Sequence, residues 1–241
     1  MATISVNLQA ARVRIERAAR EAGRDAAQVT LLAASKSHSP ERLREACAAG
    51  QRVFGENYVQ EAVEKMDALA DLQSLALEWH MIGPLQGNKA RLAAERFGWV
   101  QTLDRERIAR RLSDARPPEL PPLNVLIQVN VSGEASKSGA APRDVPALAR
   151  ASAALPRLKL RGLMAIPEPG GDVAQQRAQF RALRELYDGL RAEGLALDTL
   201  SMGMSDDLEA AIAEGSTMVR IGTALFGPRG QRASAAHAVS A

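Results

Sequence analysis

Aromatic side chains are scarce in this chain: Phe, Tyr and Trp together make up 3% of its 241 residues. That removes the aromatic interleaving on which a single-strand nucleic-acid binder stacks bases. An excess of one charge is equally lacking. Thirty-one Lys and Arg stand against 28 Asp and Glu, a formal +3 spread along the chain, which is not the footprint of a nucleic-acid partner. The lone Cys47 cannot close an internal disulfide, and its place in the helical run Leu43, Ala46, Cys47 reads as a buried structural thiol. Only three histidines occur, none at metal-ligand spacing with carboxylates or a thiol, so no metal site is expected. Residues 1–20 lack the basic-then-apolar order of a signal peptide, and no window approaches 18 uninterrupted apolar residues. The expectation is a cytoplasmic protein with no membrane contact.

What is present is ordinary in amount and ordered in pattern. Hydrophobic residues at 46% and charged residues at 24% match a folded globular chain. Short apolar runs at 31–36, 53–57, 79–83, 99–103, 124–131, 158–166, 200–205 and 218–226 read as strands, each bounded by turn or breaker residues. Between them lie helical patterns: Leu43, Ala46, Cys47 and Gly50; Val59, Val63, Met66 and Leu69; Leu208, Ala211, Ile212 and Gly215. Eight such units in this length predict a single (β/α)8 TIM barrel, typically about 250 residues, with nothing left for a second domain. An open doubly wound sheet is the competitor, but no Gly-x-Gly-x-x-Gly turn follows the first strand. Ile4, Leu8, Ala11 and Ile15 predict an extra N-terminal helix over 3–22. The domain is expected to end at 227, before a small, polar, flexible tail at 228–241. Residues 115–122, with four prolines, read as a rigid connection. Residues 132–142 read as a loop at the active end of the barrel, where Lys137 is a ligand contact or, more simply, a solvated lysine.

Several polar residues fall at strand ends that would face one mouth. Lys36 ends the apolar run Leu32-Ala33-Ala34-Ser35-Lys36, where it is either a Schiff-base amine or a strand-end lysine reaching solvent. Ser205 and the pair Gly222-Thr223 follow the seventh and eighth strands, where barrels often hold a phosphate, although Ser205 also reads as a simple helix cap. Arg220, inside the strand Met218-Val219-Arg220-Ile221, needs an acceptor, either a structural partner or a ligand's ring nitrogen or anionic group. Asn57 and His80 share that end of the barrel.

The runs Phe54-Gly55-Glu56-Asn57-Tyr58-Val59-Gln60-Glu61 and Trp79-His80-Met81-Ile82-Gly83-Pro84-Leu85-Gln86-Gly87-Asn88-Lys89 carry a resemblance, together with the Lys36 run and the stretch 200–227. Further matches are Val129 to Lys137 and Arg161-Gly162-Leu163-Met164-Ala165-Ile166. Over roughly 6–227, in the same order, the sequence resembles the pyridoxal phosphate homeostasis proteins, which look like the barrel half of bacterial alanine racemase without its second domain. The resemblance implies bound pyridoxal 5'-phosphate with Lys36 as its internal aldimine. It sets the phosphate on Ser205, Gly222 and Thr223, Arg220 against the pyridine nitrogen, and Asn57, His80, Met164 and Met202 around the ring. A permanent cation beside that nitrogen opposes its protonation and weakens the ring as an electron sink. The expected function is therefore that of a carrier or regulator of the cofactor, with cofactor-dependent apoenzymes as recipients. A residual amino-acid racemase and a cofactor-free Schiff-base aldolase are the enzymatic alternatives. A monomer is expected, because the racemase uses its second domain for much of its dimer contact. Ser37-His38 departs from the Thr-Lys common in the family, leaving the cofactor site intact but any local partner contact open.

Overall fold

Thr3 opens the first helix, its hydroxyl accepting from the Val6 N–H at 3.3 Å. Ile4, Leu8, Ala11, Ile15 and Ala18 then form the single buried face of α1 (Ile4–Glu21), at helical spacing. The structure, a computed structural model, describes residues 3–132, 138–167 and 172–227. After α1 come eight strands: β1 (Thr30–Ala34), β2 (Val53–Glu56), β3 (Glu78–Met81), β4 (Trp99–Leu103), β5 (Leu123–Gln128), β6 (Leu158–Met164), β7 (Thr199–Ser201) and β8 (Met218–Ile221). All neighbouring pairs are parallel, and β1 closes on β8, with Thr30 opposite Met218 and Ala33 opposite Ile221. Each strand is followed by a helix: α2 (Pro40–Ala48), α3 (Val59–Ala68), α4 (Ala90–Arg96), α5 (Glu106–Ala115), α6 (Val145–Ala153), α7 (Val173–Ala192), α8 (Leu208–Ala213) and α9 (Thr223–Phe226). The expected (β/α)8 barrel with its extra leading helix is the architecture found.

Alternation along the strands separates two packing zones. Ala33, Phe54, Met81, Val100, Val125, Ile127, Leu163, Leu200, Val219 and Ile221 belong to one large cluster shared with the helices. Their strand neighbours fill the barrel interior in two smaller clusters, Leu32, Ile82 and Met218 in one and Trp99, Leu126 and Met164 in the other. At the β5–β6 pairing the register slips by one residue between Val125 and Leu126, and Arg161 is the extra residue. Gly162 beside it has φ +153, and a Cβ there would lie 1.8 Å from the Thr199 carbonyl oxygen, so the close approach of β7 requires glycine. Arg161 is thereby turned over the Trp99 ring, 4.7 Å from its centroid, and paired with Asp198 at 2.7 Å.

The proline-rich connection at 115–122 joins α5 to β5 as expected. Buried Arg116 holds it down, donating to the carbonyls of Ala94, Phe97 and Pro121 at 2.6, 2.8 and 2.8 Å. Cys47 is buried, and burial pushes its thiol pKa up. Three expectations need correction. Residues 218–226 are not one strand: β8 stops at Ile221, and Gly222 caps the one-turn α9. The seventh strand ends at Ser201 rather than 205, and the fifth at Gln128 rather than 131. In both cases apolar residues that continue the strand pattern, such as Met202 and Val129, are buried in loops by tertiary packing instead. Lys137 and the tail from 228 lie outside the described residues. Among those described, no helix is long and apolar enough to cross a membrane, and no group of three or more His, Cys, Asp or Glu is placed to hold a metal ion.

Candidate functional site

A cavity of about 540 Å³ opens where the strands end, within the roughly 300–1,000 Å³ usual for small-molecule sites. Its wall comes from six of the eight strand ends: Ala34 and Lys36 after β1, Asn57 after β2, Ile82 after β3, Ile166 after β6, Met204, Ser205 and Asp206 after β7, and Arg220, Gly222, Thr223 and Ala224 from β8 and α9. Six of the nine residues named from the sequence therefore meet in one place: Lys36, Asn57, Ser205, Arg220, Gly222 and Thr223.

The other three do not reach it. Met202 is fully buried in the cluster between barrel and helices, and Met164 packs inside the barrel against Trp99 and Leu126. His80, completely buried, stacks on Trp99 with ring centroids 4.9 Å apart. Its position on β3 turns it into the barrel, but Ile82, two residues further along the strand, is the one that lines the wall. Ile82, Ile166, Met204 and Asp206 line the cavity without having been singled out from the sequence. Being apolar or helix-flanking, they carry no signal of their own there.

Arg220 forms part of the cavity wall yet is only 4% exposed. It donates to the Ser201 carbonyl and hydroxyl at 2.8 Å each and to the Ala165 carbonyl at 2.8 Å, all neutral acceptors. Desolvation lowers its pKa to about 10, opposed by Asp207, so it is a cation at neutral pH. Because a guanidinium can only donate, the direction of the bonds beyond it is set. Ser201 accepts from Arg220 and gives its own proton to Gln101 Oε1 at 2.7 Å. Gln101 Nε2 then donates to His80 Nδ1 at 2.8 Å, and His80 Nε2 donates to Glu78 Oε1 at 2.7 Å. A buried donor chain thus runs through the barrel from the cation at the cavity to a carboxylate at the start of β3. Burial holds the His80 pKa below its ordinary value, against the pull of Glu78, which keeps the ring neutral in that tautomer.

The two loops expected to hold a phosphate are tied to the leading helix. From α1, Asn7 donates to the Leu225 carbonyl in α9 at 2.9 Å, and Arg14 donates to the Ser205 carbonyl and to both carboxylate oxygens of Glu209, each at 2.9 Å. Ser205 is not the cap of α8, as one reading of the sequence had it. Asp207 occupies that position and accepts from the Met204 N–H at 2.5 Å. Ser205 is instead one of the residues of the cavity wall. In α9, Leu225 and Phe226 donate back to Gly222, so the preceding amides of Thr223 and Ala224 have no partner within the helix.

Behind Lys36 lies a second buried network that sequence reasoning missed. Lys65 on α3 is 5% exposed and uses all three N–H groups, donating to the Ser35 carbonyl at 2.8 Å, Glu56 Oε1 at 2.7 Å and Glu61 Oε1 at 2.8 Å. Ser35 Oγ donates to the same Glu56 oxygen at 2.6 Å, and the Ser37 N–H donates to Glu61 at 2.6 Å. Burial raises the Glu56 pKa against the pull of Lys65. The buried face of α3 is Val59, Ala62 and Lys65, whereas Val63 and Met66 of the expected period are only partly buried. The available signal was Glu61 and Lys65 at i,i+4, a spacing shared by countless surface pairs.

Comparison with known proteins agrees with this architecture. The model of the alanine racemase N-terminal domain matches residues 6–230. The pyridoxal phosphate homeostasis protein of Pseudomonas aeruginosa is 62% identical over 229 residues, 95% of this chain and 97% of that one, and its Escherichia coli K12 counterpart is 55% identical over 95% and 98%. The structure of PipY from Synechococcus elongatus, solved with pyridoxal phosphate bound, superposes with a TM-score of 0.81 at 37% identity, covering 93% of this chain and all of that one. Alanine racemase from Corynebacterium glutamicum shares the fold at 18% identity and a TM-score of 0.66, this chain matching 64% of its length. With a barrel of this topology and relatives this similar along nearly their whole length, the chain belongs to the pyridoxal phosphate homeostasis protein family, built on the alanine racemase N-terminal domain.

Proposed function

We propose that this protein binds pyridoxal 5'-phosphate in the cavity and takes part in its intracellular homeostasis, with Lys36 holding the aldehyde as a Schiff base. The observation that carries the reading is a single cavity whose wall contains a primary amine, Lys36, a buried cation, Arg220, and two hydroxyl-bearing loops, at Ser205 and at Gly222-Thr223. These are the groups that an aldehyde, a pyridine nitrogen and a phosphate need. When bound, the cofactor supplies an aldehyde that condenses with an amine, releasing water, and a ring that can delocalise a neighbouring negative charge.

The residues of the chain divide the work. Ser205 and Thr223 offer hydroxyls to the phosphate, and the Thr223 and Ala224 amides offer N–H donors. Asn57, in the cavity wall, would border the ring. Arg220 stays a cation at neutral pH and is anchored to neutral acceptors, so it would donate to the ring nitrogen of a bound cofactor and oppose its protonation. That arrangement favours retention of the cofactor over carbanion chemistry and supports a carrier or regulator without robust turnover. The relatives named homeostasis proteins and the neighbour solved with pyridoxal phosphate bound support binding of the cofactor and a homeostatic role. The reading extends to a cytoplasmic monomer that passes the cofactor to apoenzymes.

Spectroscopy with chemical trapping tests it. The purified protein mixed with pyridoxal 5'-phosphate should give a violet-absorbing band that borohydride abolishes, with the pyridoxyl group mapped by mass spectrometry to Lys36 and lost in Lys36→Ala. A protein that stays colourless would overturn the reading. Formation of D-alanine from L-alanine above the Lys36→Ala background would overturn the absence of turnover.

A further inference from the structure

We infer that Lys65, Glu56 and Glu61 form a positioning cluster for Lys36, holding the main chain on both sides of it; the inference rests on the role of Lys36 proposed above. Lys36 lies two residues beyond the last residue of β1. Ser35 keeps one main-chain bond to β2, its N–H donating to the Gly55 carbonyl at 2.9 Å, and both chain neighbours of Lys36 are held in addition by side chains. The Ser35 carbonyl receives the Lys65 ammonium and the Ser35 hydroxyl donates to Glu56, while the Ser37 N–H ends on Glu61. Ser37 has φ +64, a left-handed conformation uncommon for serine, and two bonds hold the turn around it: His38 N–H donates to the Ser35 carbonyl at 3.1 Å, and the Ser37 N–H donates to Glu61.

The chemistry of the cluster supports positioning over simple adhesion. A buried ion pair often contributes little stability compared with apolar groups of the same shape, so the role of this one is read from the geometry it fixes. Here the ammonium has no spare N–H, Glu56 is completely buried, and one oxygen of each carboxylate accepts from both Lys65 and a group beside Lys36. Glu56 Oε2 has no hydrogen-bond partner, so the carboxylate is aimed by Oε1 alone. The cluster lies between the end of β2 and α3, behind the cavity: none of its three residues lines the wall. It therefore acts on Lys36 through the backbone and not on the ligand.

The test is a thermodynamic cycle with two probes. Pyridoxal 5'-phosphate reports on Lys36 and the cavity together, while pyridoxine 5'-phosphate, which has no aldehyde, reports on the cavity alone. Glu61→Ala, at a side chain 14% exposed, should weaken binding of the aldehyde about tenfold, in line with the loss of a hydrogen bond to a charged group, and leave the alcohol unchanged. Glu61→Gln, which keeps an acceptor for Ser37 and Lys65, should restore most of the affinity. In a Lys36→Ala background Glu61→Ala should change neither affinity. Lys65→Met is the second variant, with the same expected pattern and a larger loss. Equal weakening of both probes, or the same loss with and without Lys36, would reduce the cluster to a structural role and overturn the inference. Failure of the unmodified protein to form a borohydride-trapped adduct at Lys36 would remove the binding proposal and this inference together, whereas an adduct with normal affinity in all the variants would remove this inference alone.

Discussion

Arg220 and Ser201 are joined twice, the guanidinium donating to both the carbonyl and the hydroxyl of Ser201 at 2.8 Å. That pair is where the cavity meets the interior of the barrel. It makes the guanidinium the head of a donor chain ending on Glu78, with Gln101 and His80 between. A cation at one end and a carboxylate at the other polarise every neutral link in the same sense.

Ser201→Ala should leave the fold intact but cost about 1–3 kcal/mol, because Arg220 and Gln101 each lose a buried partner. Arg220→Met should cost more, since the Ala165 carbonyl and both the carbonyl and the hydroxyl of Ser201 lose the same donor. Urea unfolding of the three proteins gives the comparison, and a neutral Ser201→Ala would mean that the chain does not act as a unit.

Protonation of His80 should make stability depend on pH. Burial holds the folded-state pKa below the ordinary value of about 6.5, so the unfolded chain binds this proton more tightly. The stabilisation is complete above about pH 6.5 and declines as pH falls below it, with a slope of up to ~1.4 kcal/mol per pH unit. Glu78 and Arg161 also face this region; against the opposing pull of burial, the hydrogen bond from His80 helps hold the Glu78 carboxyl below its ordinary value, so Glu78 adds little slope in that window. His80→Gln should flatten the profile between pH 6.5 and 5.5, as measured by denaturant midpoints; a parallel profile would assign the slope to other groups.

Phosphate recognition can be separated from aldehyde capture. Thr223→Val and Ser205→Ala should each lower affinity for pyridoxal 5'-phosphate about tenfold, the order expected for a hydrogen bond to a charged group, and barely change affinity for unphosphorylated pyridoxal. Titration with both compounds reads this directly. Equal losses for the two would place the hydroxyls away from the phosphate.

Among the described glycines, Gly162 has the closest approach to another main chain. A methyl group there meets the Thr199 carbonyl oxygen at 1.8 Å with φ at +153, so β6 and β7 cannot keep their pairing. Gly162→Ala should destabilise the protein by at least ~3 kcal/mol, whereas Gly189→Ala, with nothing within 4 Å of the added carbon, should be tolerated. Thermal unfolding of the pair distinguishes a packing clash from a general intolerance of Gly-to-Ala changes.

Much of the fold was legible from the amino-acid order, because eight apolar runs alternating with helical periods admit few closed arrangements and connection rules select the parallel one. Lys36 and Arg220 were legible for the same reason: each is a cation in a run otherwise committed to burial, a local conflict visible without coordinates. Ser205, Gly222 and Thr223 followed from their place after the last two strands. Only the tertiary structure decided depth. How far up the barrel a residue stands depends on strand tilt and stagger, and that put Ile82 in the wall and His80 beneath it, with Met164 in the interior and Met202 outside. Partnership was decided there as well. Glu61 and Lys65 have the spacing of a surface pair, and only the packing of α3 behind β2 buries that pair against Ser35 and Ser37. Local sequence sets which groups are charged and which face a helix presents; desolvation and hydrogen bonding between distant segments determine what those charges hold in place.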